Sequence, residues 1–204
     1  MVDLLLRRRQ MMVAGASPLP YDHEVAWLQS DGNVYIDTGI KAAGSVEMKI
    51  SLVDYFVAAN KGNWAFGGRN AYQNNMYGLF IDGTTSKASF AYQNSFIYLD
   101  LYGTYNASEE VTIAGGSLNI GTHSYTYTTK SFTSTRNIIL FGLMNGGSPL
   151  VMGVKIGAAY IKQGATIVDL IPVRKNGVGY MYDRTSGQLM PISGAGAFLI
   201  GPDV

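Results

Sequence analysis

Two short stretches of this chain carry the residue types that recognise a sugar. The first, Asn63-Trp64 followed by Arg69-Asn70-Ala71-Tyr72-Gln73-Asn74-Asn75, sets aromatic rings beside amides and a guanidinium. The second, Tyr92-Gln93-Asn94, repeats the combination. A sugar ring presents apolar C–H faces and a rim of hydroxyls, so a site needs a flat aromatic platform with hydrogen-bonding groups at its edge. Trp64, Arg69, Asn70, Tyr72, Asn74, Asn75, Tyr92 and Asn94 are therefore the candidate ligand-binding residues. The same residues admit a second reading, in which Trp64 and Phe66 are core and residues 70–75 form a polar loop capping a sheet edge. Ala71-Tyr-Gln-Asn74 recurs as Ala91-Tyr-Gln-Asn94, a spacing that suits two neighbouring strands, although two copies do not make a repeat architecture.

Hydrolytic chemistry has little to stand on. Glycoside hydrolysis needs two carboxylates flanking the scissile bond, about 5–5.5 Å apart for retention. Asp22-His23-Glu24 sits at the start of the first strand, and Glu109-Glu110, being adjacent, point to opposite faces of a strand. Two histidines, His23 and His123, and no Gly-x-Ser-x-Gly propose no nucleophilic triad. No catalytic residue is assigned. The absence of Cys and the distance between the two His remove the usual zinc cage. Calcium would need clustered loop carboxylates, and Asp54 and Asp82 stand alone, with Asp82-Gly83 reading more simply as a turn. Asp37 and Asp183 are expected to bond backbone near strand ends. No metal and no cofactor is expected.

The N-terminus holds a different element. Leu4, Leu5 and Leu6 are followed by Arg7, Arg8 and Arg9 and then by Met11 and Met12, a basic amphipathic segment of good helix formers. Apolar run and charges stand in the reverse of the secretory order, so no signal peptide is expected. Three arginines are too few for stable nucleic-acid affinity at physiological salt. Docking on a protein is the reading favoured for this arm over a disordered tail, with Gly15-Ala-Ser-Pro-Leu-Pro20 as the linker.

The remainder must position the candidate site. Hydrophobic residues make up 47% of 204, enough for a sizeable core, and a net charge of +1 provides no basic stripe for nucleic acid. No apolar run reaches the ~18 residues a membrane-spanning helix requires. From Glu24 onward the pattern alternates with period two. Val34, Ile36 and Ile40 alternate with Tyr35, Asp37 and Gly39, and Val46, Met48, Ile50 and Leu52 with Glu47, Lys49 and Ser51. Tyr125 and Tyr127, the set Val154, Ile156, Ala158 and Tyr160, and the set Val178, Tyr180 and Tyr182 alternate likewise, while Ile138–Leu143 reads as a strand covered on both sides and Ile167–Val173 is apolar apart from Asp169. Asp31-Gly32, Gly115-Gly116, Gly146-Gly147, Gln163-Gly164, Asn176-Gly177 and Ser186-Gly187 supply the positive φ that tight turns require. Roughly a dozen short strands and no helix predict an all-β sandwich or barrel over residues 21–204, preceded by the arm and linker of residues 1–20.

Two segments resemble a known family. They are Ala26–Ile40, read Ala-Trp-Leu-Gln-Ser-Asp-Gly-Asn-Val-Tyr-Ile-Asp-Thr-Gly-Ile, and Val154–Lys162 with Ile167-Val-Asp-Leu-Ile-Pro-Val-Arg-Lys-Asn-Gly-Val-Gly-Tyr-Met-Tyr-Asp-Arg-Thr-Ser-Gly187, closed by Gly194–Gly201. They resemble laminin-G-like, concanavalin A-like jelly-roll domains of gut-bacterial surface proteins and tailed-phage virion proteins, and the resemblance implies an all-β, two-sheet antiparallel jelly-roll sandwich. The resemblance implies that the first segment lies beside the C-terminal strands, and that the second supplies two late strands and the turn after them. It anchors both ends of residues 24–201, and the middle matches only in strand pattern. The basic-plus-Met start resembles those of structural genes of Bacteroidales phages. Together these imply a non-enzymatic virion display protein, as capsid decoration, head fibre or tail-associated protein. The arm would bind other virion proteins, the chain would form homo-oligomers with a trimer favoured, and the jelly roll would meet a host-surface glycan. The alternative is a bacterial surface carbohydrate-binding module.

Overall fold

The computed structural model describes residues 19–53, 63–82, 87–100 and 108–204. The arm residues Leu4, Leu5, Leu6, Arg7, Arg8, Arg9, Met11 and Met12, together with Asp54 and Gly83, lie outside them. The described strands are β1 (His23–Glu24), β2 (Leu28–Ser30), β3 (Val34–Ala43), β4 (Val46–Val53), β5 (Asn63–Arg69), β6 (Met76–Asp82), β7 (Lys87–Gln93), β8 (Ser95–Asp100), β9 (Ser108–Ala114) and β10 (Ser117–Ile120). They continue with β11 (His123–Thr126), β12 (Thr133–Leu140), β13 (Gly142–Asn145), β14 (Ser148–Val151), β15 (Lys155–Gln163), β16 (Thr166–Lys175), β17 (Val178–Asp183), β18 (Gln188–Leu189), β19 (Ile192–Gly194) and β20 (Phe198–Ile200). None of the described residues is helical.

The strands form two sheets packed face to face, an all-β sandwich of jelly-roll-like character. The first sheet runs β11-β10-β9-β4-β15-β16-β17-β18, with β1 on β16, β2 on β15 and β20 on β2. The second runs β19-β3-β12-β5-β6-β7-β8, with the β13–β14 hairpin attached to β5. Pairing is antiparallel except between β13 and β5. The two ends of the described chain meet: Leu28 pairs Ile200 and Val34 pairs Gly194, so β2 and β3 lie beside β20 and β19. The Ile167–Gly187 stretch forms β16, β17 and the following turn.

Alternation places the core. β3 and β4 bury every second residue, and Val46, Met48, Ile50 and Leu52 face Ile36, Ile40, Tyr77, Leu79 and Phe90 of the other sheet within one cluster. Each such aliphatic or aromatic side chain contributes about 1.5–3 kcal/mol by leaving water. Two-residue turns set the register. Gly115 and Gly116 take positive φ between Ala114 and Ser117, and Asn176 and Gly177 do so between Lys175 and Val178.

Three strands depart from simple alternation. Ile138–Leu143 is not one strand. It breaks at Phe141, whose φ of 67° reverses the chain while its ring stays in the core 4.7 Å from Phe198. The left-handed conformation costs a non-glycine residue about 1–2 kcal/mol, offset by the hydrogen bonds from Phe141 N–H to Ala65 O and from Met152 N–H to Phe141 O. In β15 a bulge between Ile156 and Ala159 inserts one residue, so Ile156, Ala159 and Ile161 face the core and Ala158 and Tyr160 do not. In β17 the inward positions are Gly179, Met181 and Asp183, with Tyr180 and Tyr182 half-buried on the other side. Gly179 allows Leu28 to close over it, since a Cβ there would stand 2.6 Å from Leu28 Cδ2.

The strand-end carboxylates act on backbone. Asp37 Oδ1 accepts from Gly39 N–H and from Asn137 Nδ2, each at 2.9 Å. Asp183 accepts from the N–H groups of Asp169, Thr185 and Ser186, pinning the turn after β17.

Candidate functional site

The site is built on the outer face of the second sheet, where cross-strand rows decide what stands next to what. Trp64 pairs Phe80, Phe80 pairs Ser89, and Ser89 pairs Tyr98, so these four form one row across β5, β6, β7 and β8. The next row is Gly67, Gly78, Ala91 and Phe96. Three consecutive small residues leave a depression beside the aromatic row. A Cβ on Gly78 would stand 3.2 Å from Trp64 Cζ3, so the missing side chain is what lets the indole lie down along the sheet.

A bulge at Ala65 creates this arrangement. Trp64 pairs Phe80 while Phe66 pairs Leu79, so β5 spends one extra residue between them. Strict alternation would set Trp64 and Phe66 on one face. The bulge instead sends Phe66 into the inter-sheet core and Trp64 to a separate outer cluster with Met76, Ala91, Leu143, Phe80, Phe96 and Met152.

The result is an open pocket of about 320 Å³ lined by Trp64, Arg69, Tyr72, Phe80, Ser89, Phe96 and Tyr98. Trp64 and Phe80 meet edge to face at 5.3 Å, and Phe96 lies 6.4 Å from Trp64, 6.1 Å from Tyr72 and 6.5 Å from Tyr98. Tyr72 and Tyr98 are 67% and 73% exposed, large aromatic surfaces that folding leaves in water. Arg69 is the pocket's charged group, and only 8% of it is exposed. Its Nε donates to Asn145 Oδ1 at 2.9 Å, and its Cζ lies 5.7 Å from the Trp64 ring centre and 5.3 Å from that of Tyr72. Burial lowers its pKa from the ordinary value, with Tyr72 acting weakly the other way. The guanidinium remains charged in any case.

Of the residues predicted from sequence, Trp64, Arg69 and Tyr72 come together here. Asn70 stands beside them as a brace: its Oδ1 accepts from the Ser134 hydroxyl, the Thr135 N–H and the Thr135 hydroxyl at 2.7–2.8 Å, which fills its capacity. Asn74 closes the 70–74 turn through backbone bonds with Asn70 and Ala71. Asn75 donates its N–H to Asn94 Oδ1 at 3.2 Å and its Nδ2 to Thr133 O at 3.3 Å. Asn74, Asn75 and Asn94 therefore shape and tie the two turns, and none lines the pocket. Tyr92 is on the opposite side of the sheet. Its ring is in the inter-sheet core against Tyr127 and Phe132, and its hydroxyl bonds Gly44 O, Lys130 O and Lys130 N–H. The Ala-Tyr-Gln-Asn echo also has a physical counterpart: Gln73 and Gln93 both take positive φ, 53° and 58°, at the two turns that Asn75 and Asn94 join.

Phe80, Ser89, Phe96 and Tyr98 escaped the sequence reading. Their signal is the hairpin between Tyr92 and Ser95: counting outward from it pairs Ala91 with Phe96 and Ser89 with Tyr98 on one face.

The charged groups elsewhere are paired or dispersed. A second depression on the outer face of the first sheet holds Lys49 with Glu110 at 2.9 Å, and Arg184 with Asp169 in a two-pronged contact at 2.6 and 3.0 Å. Among the described residues no group of three or more His, Cys, Asp or Glu gathers to hold a metal ion, and no helix is long and apolar enough to cross a membrane. No family model matches the chain, and no curated protein matches it in sequence.

Proposed function

We propose that this protein is a non-enzymatic display protein whose sandwich binds a glycan in the Trp64–Arg69–Tyr72 pocket. The observation that carries the reading is the aromatic lining left exposed around one guanidinium: Tyr72 and Tyr98 stand in water beside the enclosed Trp64. Stacking of C–H faces on such rings, with polar groups at the rim, is how a shallow open pocket holds a sugar. The wider role follows from the resemblance of residues 26–40 and 154–201 to concanavalin A-like domains of phage and bacterial surface proteins. In that role the chain belongs to a virion, the arm of residues 1–20 docks on other virion proteins, and the domain assembles as a trimer.

The test is a glycan array probed with the intact protein and with Tyr72→Ala and Tyr98→Ala, each verified as folded by its thermal melt. Binding that falls about tenfold in each variant, or ~1.4 kcal/mol, supports the pocket. Glycan binding undiminished in both variants places it elsewhere on the molecule, and an array without any bound glycan removes the reading. Deleting residues 1–18 tests the arm, since a truncated chain still incorporated into purified particles would rule out docking through it.

A further inference from the structure

Arg69 is the most deeply buried cation among the described residues. Eleven-twelfths of it is out of water, and its Nε bond to Asn145 uses one of its five N–H donors. Among the described residues Nη1 reaches only the Met76 sulfur, at 4.0 Å, which is a weak acceptor. Among the described residues no carboxylate stands within ion-pair distance of it, whereas Lys49, Lys162, Arg174 and Arg184 each have one. Ring faces of Trp64 and Tyr72 lie near the guanidinium, yet they compensate only part of what burial costs a cation. The pocket opens on this group, and burial already lowers its proton affinity.

Resting on the glycan-binding reading above, we infer that the pocket selects an acidic sugar, whose carboxylate is taken by the Nη1 and Nη2 edge of Arg69 while its ring stacks on the pocket aromatics. Planar guanidinium and planar carboxylate match as a fork with two parallel hydrogen bonds. The partly dry surroundings strengthen that contact over one at an open surface. A neutral sugar would leave those donors without an acceptor, so the site discriminates against it through unmade bonds as well as through charge.

The experiment uses the full chain and an array of uronic-acid and sialic-acid oligosaccharides, each printed beside its methyl-esterified form and beside sulfated glycans. Hits are then titrated by calorimetry. The expected result is a free acid bound at least about tenfold tighter than its methyl ester. Arg69→Met should bring the affinity for the acid down to that which the wild type shows for the ester, and Arg69→Lys should restore only part of the difference, because a lysine cannot form the fork. The ester comparison needs no variant, so a misfolded Arg69→Met leaves the inference testable. Equal affinity for acid and ester, or a preference for sulfated glycans alone, overturns the acidic-sugar assignment while leaving glycan binding intact. Failure to bind any printed glycan overturns both.

Discussion

On the outer face of the first sheet, Lys49 meets Glu110, Lys162 meets Glu47 directly across β15 and β4, and Arg184 grips Asp169. On the outer face of the second sheet, Arg69 is buried among aromatic rings with an amide as its partner. Both faces are exteriors of the same sandwich, built by the same alternation over the same core. The first balances its charges internally and keeps them in water, where each pair contributes little. The second holds a cation where water is scarce, and among the described residues no carboxylate stands within ion-pair distance of it.

Substitutions sharpen this contrast when ranked by their effect on unfolding free energy. Phe90→Ala, on the inner side of the second sheet, is expected to cost about 3–5 kcal/mol in a denaturant titration, because a filled core position becomes a cavity. Asp183→Asn comes next, at about 1–3 kcal/mol, since a buried acceptor serving several donors is weakened. Burial pushes the Asp183 carboxyl up, but the hydrogen bonds from Ser186, Asp169 and Thr185 outweigh it and hold the pKa below the ordinary value. A group depressed in the folded state stabilises above its unfolded pKa and loses that stabilisation as pH falls through the folded one. Melting temperature should therefore drop on acidification below about pH 4 in the wild type, and Asp183→Asn should flatten that limb.

Lys162→Ala and Lys49→Ala should cost only about 0.2–1 kcal/mol each, and half-molar salt should erase most of the difference. Smallest of all, Tyr72→Ala and Tyr98→Ala should change stability by less than about 0.5 kcal/mol. A large loss of stability there would break the comparison, because the exposed tyrosines would then be structural and the second face as self-contained as the first.

Much of the sandwich could be read in advance. β3 and β4 face the core on one side and solvent on the other, and a one-residue slip would reverse every side chain, so their alternation is strongly imprinted. The paired-glycine turns were equally plain, because only positive φ closes a two-residue loop with the right twist. The site was legible only in part. Trp64, Arg69 and Tyr72 announce themselves by type, but which side of the sheet Trp64 takes depends on the extra residue at Ala65, and a bulge leaves no compositional mark. Tyr92 has the same side-chain chemistry as Tyr72, and its even placement on β7 sends it inward. Phe96 and Tyr98 look like ordinary strand aromatics until the hairpin register sets them beside Ala91 and Ser89.

That interleaving has a consequence for how such a protein changes over generations. Along β7, Ser89 and Ala91 lie on the outer face that carries the pocket while Ala88, Phe90 and Tyr92 belong to the interior. Each strand thus carries two messages written in alternate letters, one addressed to the fold and one to the outside world. Variation confined to the outward letters can retune what the surface greets, while the inward letters, held by packing, keep the same scaffold in place to try again.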